Sequence, residues 1–320
     1  MLKIIKIGIL FIFCATGVAM AQTYPDKPVR FVIPFPPGGG TDIVGRLIAQ
    51  KLSEVWQQPV IIDNKPGANT LIGTEYVAKS APDGYTLLMA SPSHTINPSL
   101  YKNLRFDTQK DFSGAAIVAT GPLVVAVGPS VPAKNVRELI ALAKARPEKV
   151  SYASAGTGSS THLAGALFNQ LAGTDMMHVP YKGTAPAITD QIGGQVQVSF
   201  LPIPGVLQHI RSGKLHALAV TGSRRFTTLP DLPTVAESGL PGYDVQQWWG
   251  IVAPKGTSRE ILKKINFDVA HILKSQGLRA QLAAIGAEPG SGSPEQFDQM
   301  IQAEIIEWGK LIESAKIVAD

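Results

Sequence analysis

The sequence predicts an α/β protein of two halves that face a shared cleft, and three observations predict it. Residues 29–56 read as a strand, a proline- and glycine-rich turn and a helix. Residues 150–171 read as a second corner of the same kind, roughly a hundred residues on. Strand and helix patterns alternate through most of the remaining chain, and 320 residues fit two domains of ordinary size.

The first corner starts from the apolar run 29–34, which suits a buried strand. Pro36, Pro37, Gly38, Gly39 and Gly40 break it. Thr41 or Asp42 can cap a helix whose apolar residues Ile43, Leu47, Ile48, Leu52 and Val55 recur at helical spacing. A turn of this shape aims backbone N–H groups beyond the strand, and the helix N-terminus adds partial positive charge, so an anion is favoured there. A strand is predicted at 60–63, a turn at 65–70, and a helix at 71–80 stopped by Pro82-Asp83-Gly84. A strand at 86–90 leads into a polar loop, 91–97. Two strand-like runs, 112–119 and 123–127, are broken by Gly121-Pro122, where the chain is expected to cross between domains.

A helix over 135–146 precedes the second corner. There, strand 150–153 is followed by a loop of small residues, and Ser160 or Thr161 can cap a helix carrying Leu163, Leu167, Phe168 and Leu171. Next come a glycine turn at 181–185, a helix at 186–192, a strand at 196–200, a loop and helix at 202–212, and a strand at 215–221. Residues 224–241 are loop-rich. The apolar run 248–253 returns the chain to the first half, and 258–316 holds three helical patterns without a strand run. The expected division is 22–122 with 252–320 as one discontinuous domain and 123–251 as the other. A parallel sheet of this kind gathers the loops after its strands on one edge, where ligands bind.

Composition and motifs narrow the function. Aromatic content of 7% argues against stacked-ring sugar or base recognition. The formal charge is +5, and no run of Lys or Arg exceeds Arg224-Arg225 or Lys263-Lys264, so nucleic acid is not an expected partner. Residues 1–21 read as a signal peptide: Lys3 and Lys6, an apolar stretch at 7–18, and Ala19-Met20-Ala21 as the cleavage site before Gln22. Export with cleavage follows. The single cysteine, Cys14, lies in that leader, which excludes disulfides, cysteine metal sites and thiol nucleophiles from the mature chain. Gly156-Thr157-Gly158-Ser159 has the wrong register for a nucleophile elbow, and Thr161 stands where a dinucleotide loop wants its third glycine. The six histidines form no metal-ligand pair on a helix, and no phosphate-cradling Gly-Lys-Ser/Thr is present. No enzyme, cofactor or metal is expected.

The chain resembles the Bug family, periplasmic receptors of tripartite tricarboxylate transporters. The segments that carry the likeness are YPDKP and PFPPGGGTD near the start, PGAN at 66–69, APDGYTLL at 81–88 and NPSLYKNLRFD at 97–107. Further on they are SAGTGSSTHL at 154–163, VPYKGTAPAITDQIGGQV at 179–196, SGKLHALAVTGSRR at 212–225 and WWGIVAPKGT at 248–257. The resemblance implies a type II-like Venus flytrap with two hinge crossings, monomeric, capturing a small organic carboxylate for two membrane transporter subunits. It also implies a ligand set: Phe35, Gly38, Gly39, Thr41 and Asp42 from the first loop; Ser91 and His94 from the third; Ser154, Gly156, Thr157, Gly158, Ser159 and His162 from the second corner; and Tyr181 across the cleft. Asp42 ranks below Thr41, as a residue that holds the loop. Leu201 stands where the family has Asp, which implies an apolar cleft wall and disfavours amino-acid ligands; the other reading is that Leu201 only packs beneath Pro202 and never meets the ligand. Two other readings are a sensor input without transport and a hydrolase on the same architecture, the latter because Ser159 and His162 share a loop.

Overall fold

A computed structural model describes residues 24–318; the leader, its cleavage site and Cys14 lie outside the described residues. In chain order the first elements are β1 (Val29–Ile33), α1 (Gly40–Trp56), β2 (Val60–Asn64), α2 (Leu71–Ala78), β3 (Thr86–Ala90), α3 (Ser93–Leu100) and β4 (Phe112–Val127). Then follow α4 (Val136–Ala145), β5 (Ser151–Ser154), α5 (Ser160–Ala172), β6 (Met177–Pro180), α6 (Thr184–Ile192), β7 (Val198–Pro202), α7 (Ile203–Arg211) and β8 (His216–Val220). The chain closes with β9 (Gln246–Pro254), α8 (Arg259–Lys274), α9 (Gln276–Ile285), β10 (Glu288–Pro289) and α10 (Pro294–Ser314). No helix among the described residues is long and apolar enough to cross a membrane.

The strands follow the path β2-β1-β3-β9-β4-β7-β5-β6, with β8 and β10 also on β4. Pairs built by strand–helix alternation are parallel: β1 with β2 and β3, and β5 with β6 and β7. The two long strands β4 and β9 run antiparallel to each other and to their neighbours, so the sheet is mixed rather than purely parallel. β4 is one strand through Gly121-Pro122, where the sequence suggested two. Gly121 and Pro122 pair with Gln247 and Gln246 on β9, and from Leu123 onward β4 pairs with β7. Pro122 therefore sits where the strand changes partners, a position at which a missing N–H is tolerated.

Apolar cores flank each half. Phe31, Ile48, Trp249 and Leu282 pack on one face of the first sheet, and Val32, Leu88, Val252 and Phe297 on the other. In the second half, Val125, Tyr152, Phe168 and Phe200 fill one face and Val124, Leu201, Ile203 and Val220 the opposite one. Residues 93–100 form helix α3 rather than the polar loop the composition suggested. Thr95 and Asn97 are buried and satisfied inside: the Thr95 hydroxyl donates to Pro92 O at 2.9 Å, and Asn97 Nδ2 donates to Asn69 O at 3.0 Å. Two short strands, β6 and β10, went unread because neither is long enough to show alternation.

Candidate functional site

The first corner is braced from behind by Asp42. Its carboxylate is buried and accepts from Gly38 N at 3.0 Å, Arg46 Nε at 2.8 Å and Asn64 Nδ2 at 2.9 Å. Asn64 Nδ2 also donates to Phe35 O at 3.0 Å. Burial pushes the Asp42 pKa up, but Arg46, Gly38 and Asn64 together outweigh it and hold the carboxyl below its usual range. The cap differs from either residue the sequence offered: Gly39 is the N-cap of α1, and Thr41 and Asp42 lie in its first turn. Asp42→Ala leaves the Gly38 N–H and the Asn64 amide short of an acceptor. It should lower the unfolding free energy by about 2 kcal/mol, read from urea midpoints at constant m-value.

The second corner is satisfied internally. Ser159, one residue before the expected caps, is the N-cap of α5: its Oγ accepts from His162 N at 3.3 Å and donates to Gly156 O at 2.7 Å. Ser154 Oγ meets His178 Nε2 at 2.6 Å and accepts from Gly156 N at 3.1 Å. Gly158 N donates to His162 Nδ1 at 3.1 Å, and the His162 and His178 rings stack 3.7 Å apart. Gly158, at φ +79°, is also where the first half presses on the second: an added Cβ would lie 2.0 Å from Leu100 Cδ2.

Between the corners lies a small cavity of about 20 Å³. Among the described residues, five helix N-termini meet at it. Gly39, Gly40 and Thr41 open α1; Ser93 opens α3; Ser159, Ser160 and Thr161 open α5; Gly183 and Thr184 open α6; Pro202 precedes α7. The first N–H groups of each helix have no intrahelical partner, and each terminus carries roughly half a positive charge. No Lys or Arg lines the cavity among the described residues. The field is therefore positive but built from main-chain amides, an arrangement suited to an anion.

Hydroxyls complete it. Thr41 Oγ1 accepts from Trp249 Nε1 at 3.1 Å, which leaves its O–H free to donate. Ser160 Oγ donates to Gln247 Oε1 at 2.9 Å. Thr184 Oγ1 is buried without a hydrogen-bond partner among the described residues.

Of the residues the sequence singled out, Phe35, Gly39, Thr41, Ser91 and Ser159 line this cavity. Gly156, Thr157 and Tyr181 line a separate outer chamber, which Phe35 also borders. Gly38, Asp42, Ser154, Gly158 and His162 shape the two loops without lining either space. Two residues sit elsewhere. The His94 ring is buried against Phe112, centroids 4.9 Å apart and nearly perpendicular, with neither ring nitrogen hydrogen-bonded among the described residues; burial pushes its pKa down to about 4. Leu201 is fully buried in the core of the second half, opposite Val124 on β4, and its neighbour Pro202 reaches the cavity instead. Strand alternation sends Phe200 and Leu201 to opposite cores, so neither faces the cleft. Sequence reasoning missed Ser93, Thr184, Pro202 and Gln247. The signal for the first three was available: each sits at or beside a strand-to-helix boundary.

Known proteins compare as follows. Residues 44–317 match the family described as the tripartite tricarboxylate transporter family receptor. Protein BugT of Bordetella pertussis is 38% identical over 312 residues, covering 96% of each chain. The structure of R. palustris Rpa4515 with adipate is similar at a TM-score of 0.90 and 37% identity, covering 93% of this chain and 100% of that one. The structure of MatC from Rhodopseudomonas palustris with bound malate is similar at 0.85 and 32%, covering 90% and 100%.

Proposed function

Because this chain belongs to the family of tripartite tricarboxylate transporter receptors, a family of periplasmic solute-binding proteins, we propose that its cleft captures a small organic carboxylate and does not turn it over. The observation that carries this reading is the convergence of five helix N-termini on one cavity that no cationic side chain lines. Such a site holds a carboxylate by N–H and O–H donors alone. The ligand set is Thr41, Thr184 and the main chain of Gly39, Gly40, Ser160 and Thr161, with Ser91, Ser93 and Gln247 at the margin. Export with cleavage before Gln22 and delivery to two membrane subunits complete the reading. The halves divide at 122/123 and 251/252, a reading supported at the first point by β4 leaving β9 for β7.

A panel of mono- and dicarboxylates, followed by thermal shift and by product analysis, tests the function. Stabilisation without product supports it. Turnover of any member, or no binding across the panel, removes it. Thr41→Ala and Thr184→Ala should each weaken binding by about 1 to 2 kcal/mol, because a charged acceptor loses one donor. Thr184→Ala also deletes a buried hydroxyl that has no partner, so the unliganded protein should not lose stability. Calorimetric titration and melting curves read the two effects separately.

A further inference from the structure

Resting on that reading, we propose that a groove on α8 and α9, away from the cleft, receives an acidic segment of a partner protein. No residue that lines the groove lines the inner cavity or the outer chamber. One stretch, about 720 Å³, lies where the halves meet: Arg211, Thr227 and Thr228 come from the second half, and Arg279, Ala280 and Ala284 on α9 from the first. The other, about 320 Å³, follows α8 over Ile117, Val269 and Leu273, with Lys274 beside them. Arg279 and Pro289 border both stretches. Pro289 belongs to β10, which pairs with β4 just before that strand crosses between the halves. Bonds from the second half hold this edge to the first: Arg211 Nη1 donates to Ala284 O and Thr228 Oγ1 to Ala283 O, each at 3.3 Å. A partner seated here therefore touches both halves at once.

Charge decides the occupant. Arg211, Lys274 and Arg279 are exposed and enter no ion pair among the described residues. Glu288 is the one acidic residue that lines either stretch, and it is already taken: Arg224 Nη2 donates to it at 2.6 Å and the Thr227 hydroxyl at 2.7 Å. Three cations thus stand beside an apolar floor without counter-charge. An acidic segment neutralises them, and complementary potentials speed and orient encounter. A second copy of this chain, meeting the same face about a two-fold axis, would set like charges against each other. A concave floor fits a protein segment better than the flat surface of a bilayer.

Photo-cross-linking in intact cells of the source organism tests the surface, with p-benzoylphenylalanine in place of Ala280 in the full chain. The expected result is a protein adduct whose cross-linked segment, mapped by mass spectrometry, carries net negative charge. Arg279→Glu in the same chain should cut the adduct yield at least about fivefold, whereas Arg279→Lys should keep it within about twofold. Melting curves and carboxylate titrations of both Arg279 variants should match wild type, because the residue is exposed and lies outside the cleft. Absence of an adduct overturns the proposal. So does an adduct to lipid, to a second copy of this chain or to a neutral or basic segment, or a yield that Arg279→Glu leaves unchanged. Failure of the receptor reading shows separately, as wild-type protein that binds no carboxylate.

Discussion

Gly40→Val is expected to weaken carboxylate binding about a hundredfold, roughly 2.7 kcal/mol, while the unliganded protein keeps its fold. Gly40 is the first residue of α1 and faces the second half at close range. A Cβ there would lie 3.0 Å from Pro202 Cβ and 3.6 Å from Gly205 N. Two further methyl carbons have nowhere to go while the halves are together, and overpacking of this kind costs about 1 to 3 kcal/mol. The backbone at Gly40 is helical, so the substitution adds no strain of its own. The cost therefore falls on the closed arrangement in which both corners reach one anion. Gly40→Ala, with a single tight contact, should lose less. Calorimetry gives the affinities, and small-angle scattering of the liganded variant gives the separation of the halves. Wild-type affinity in Gly40→Val would mean that binding does not need this approach.

The second large effect is on stability and comes from His94. The ring is buried with no partner for either nitrogen, and burial lowers its pKa from 6.5 to about 4. The unfolded chain therefore binds this proton at a higher pH than the folded one. Stability is fully present above pH 6.5 and is lost as pH falls towards 4. The loss at pH 4 is about 3 kcal/mol, and about half of that at pH 5.5. His94→Phe, which can keep the contact with Phe112, should flatten the pH dependence over this window; His94→Leu is the alternative should the larger ring overfill the site. Urea midpoints at pH 7.5, 5.5 and 4 give the comparison. Parallel curves for wild type and both variants would remove His94 as the source. Carboxylates such as Asp42, held below their usual range, add their own losses only at the acid end, so the intermediate pH is the informative one.

Much of the fold was legible because its boundaries are chemical. The glycine runs after β1 and β5, the Pro-Asp-Gly stop after α2 and the helical spacing of residues 258–314 each carry a local cause. What stayed hidden depended on partners far along the chain. A helix at 93–100 cannot be read from polar residues whose acceptors lie at Asn69 and Thr70. The unity of β4 depends on β9, more than a hundred residues later. At the site, the two corners and Thr41 were visible as turn chemistry, whereas Gln247 enters from β9, which only tertiary packing brings there. His94 and Leu201 show the limit of carrying residues over by motif. A loop position or a strand position does not fix which way the side chain turns, and packing sent both into cores.

The amide-built field at the cleft bears on how such a protein changes over generations. Every residue but proline carries an N–H, so a change of side chain at the five helix starts, proline apart, leaves the charge that grips an acid in place, even where added bulk such as a valine at Gly40 keeps the acid out. The walls of the outer chamber are side chains and have no such protection. Mutation is therefore free to exchange one acid for another while the grip on a carboxylate is inherited intact, and a duplicated gene can acquire a new ligand without first losing the old chemistry.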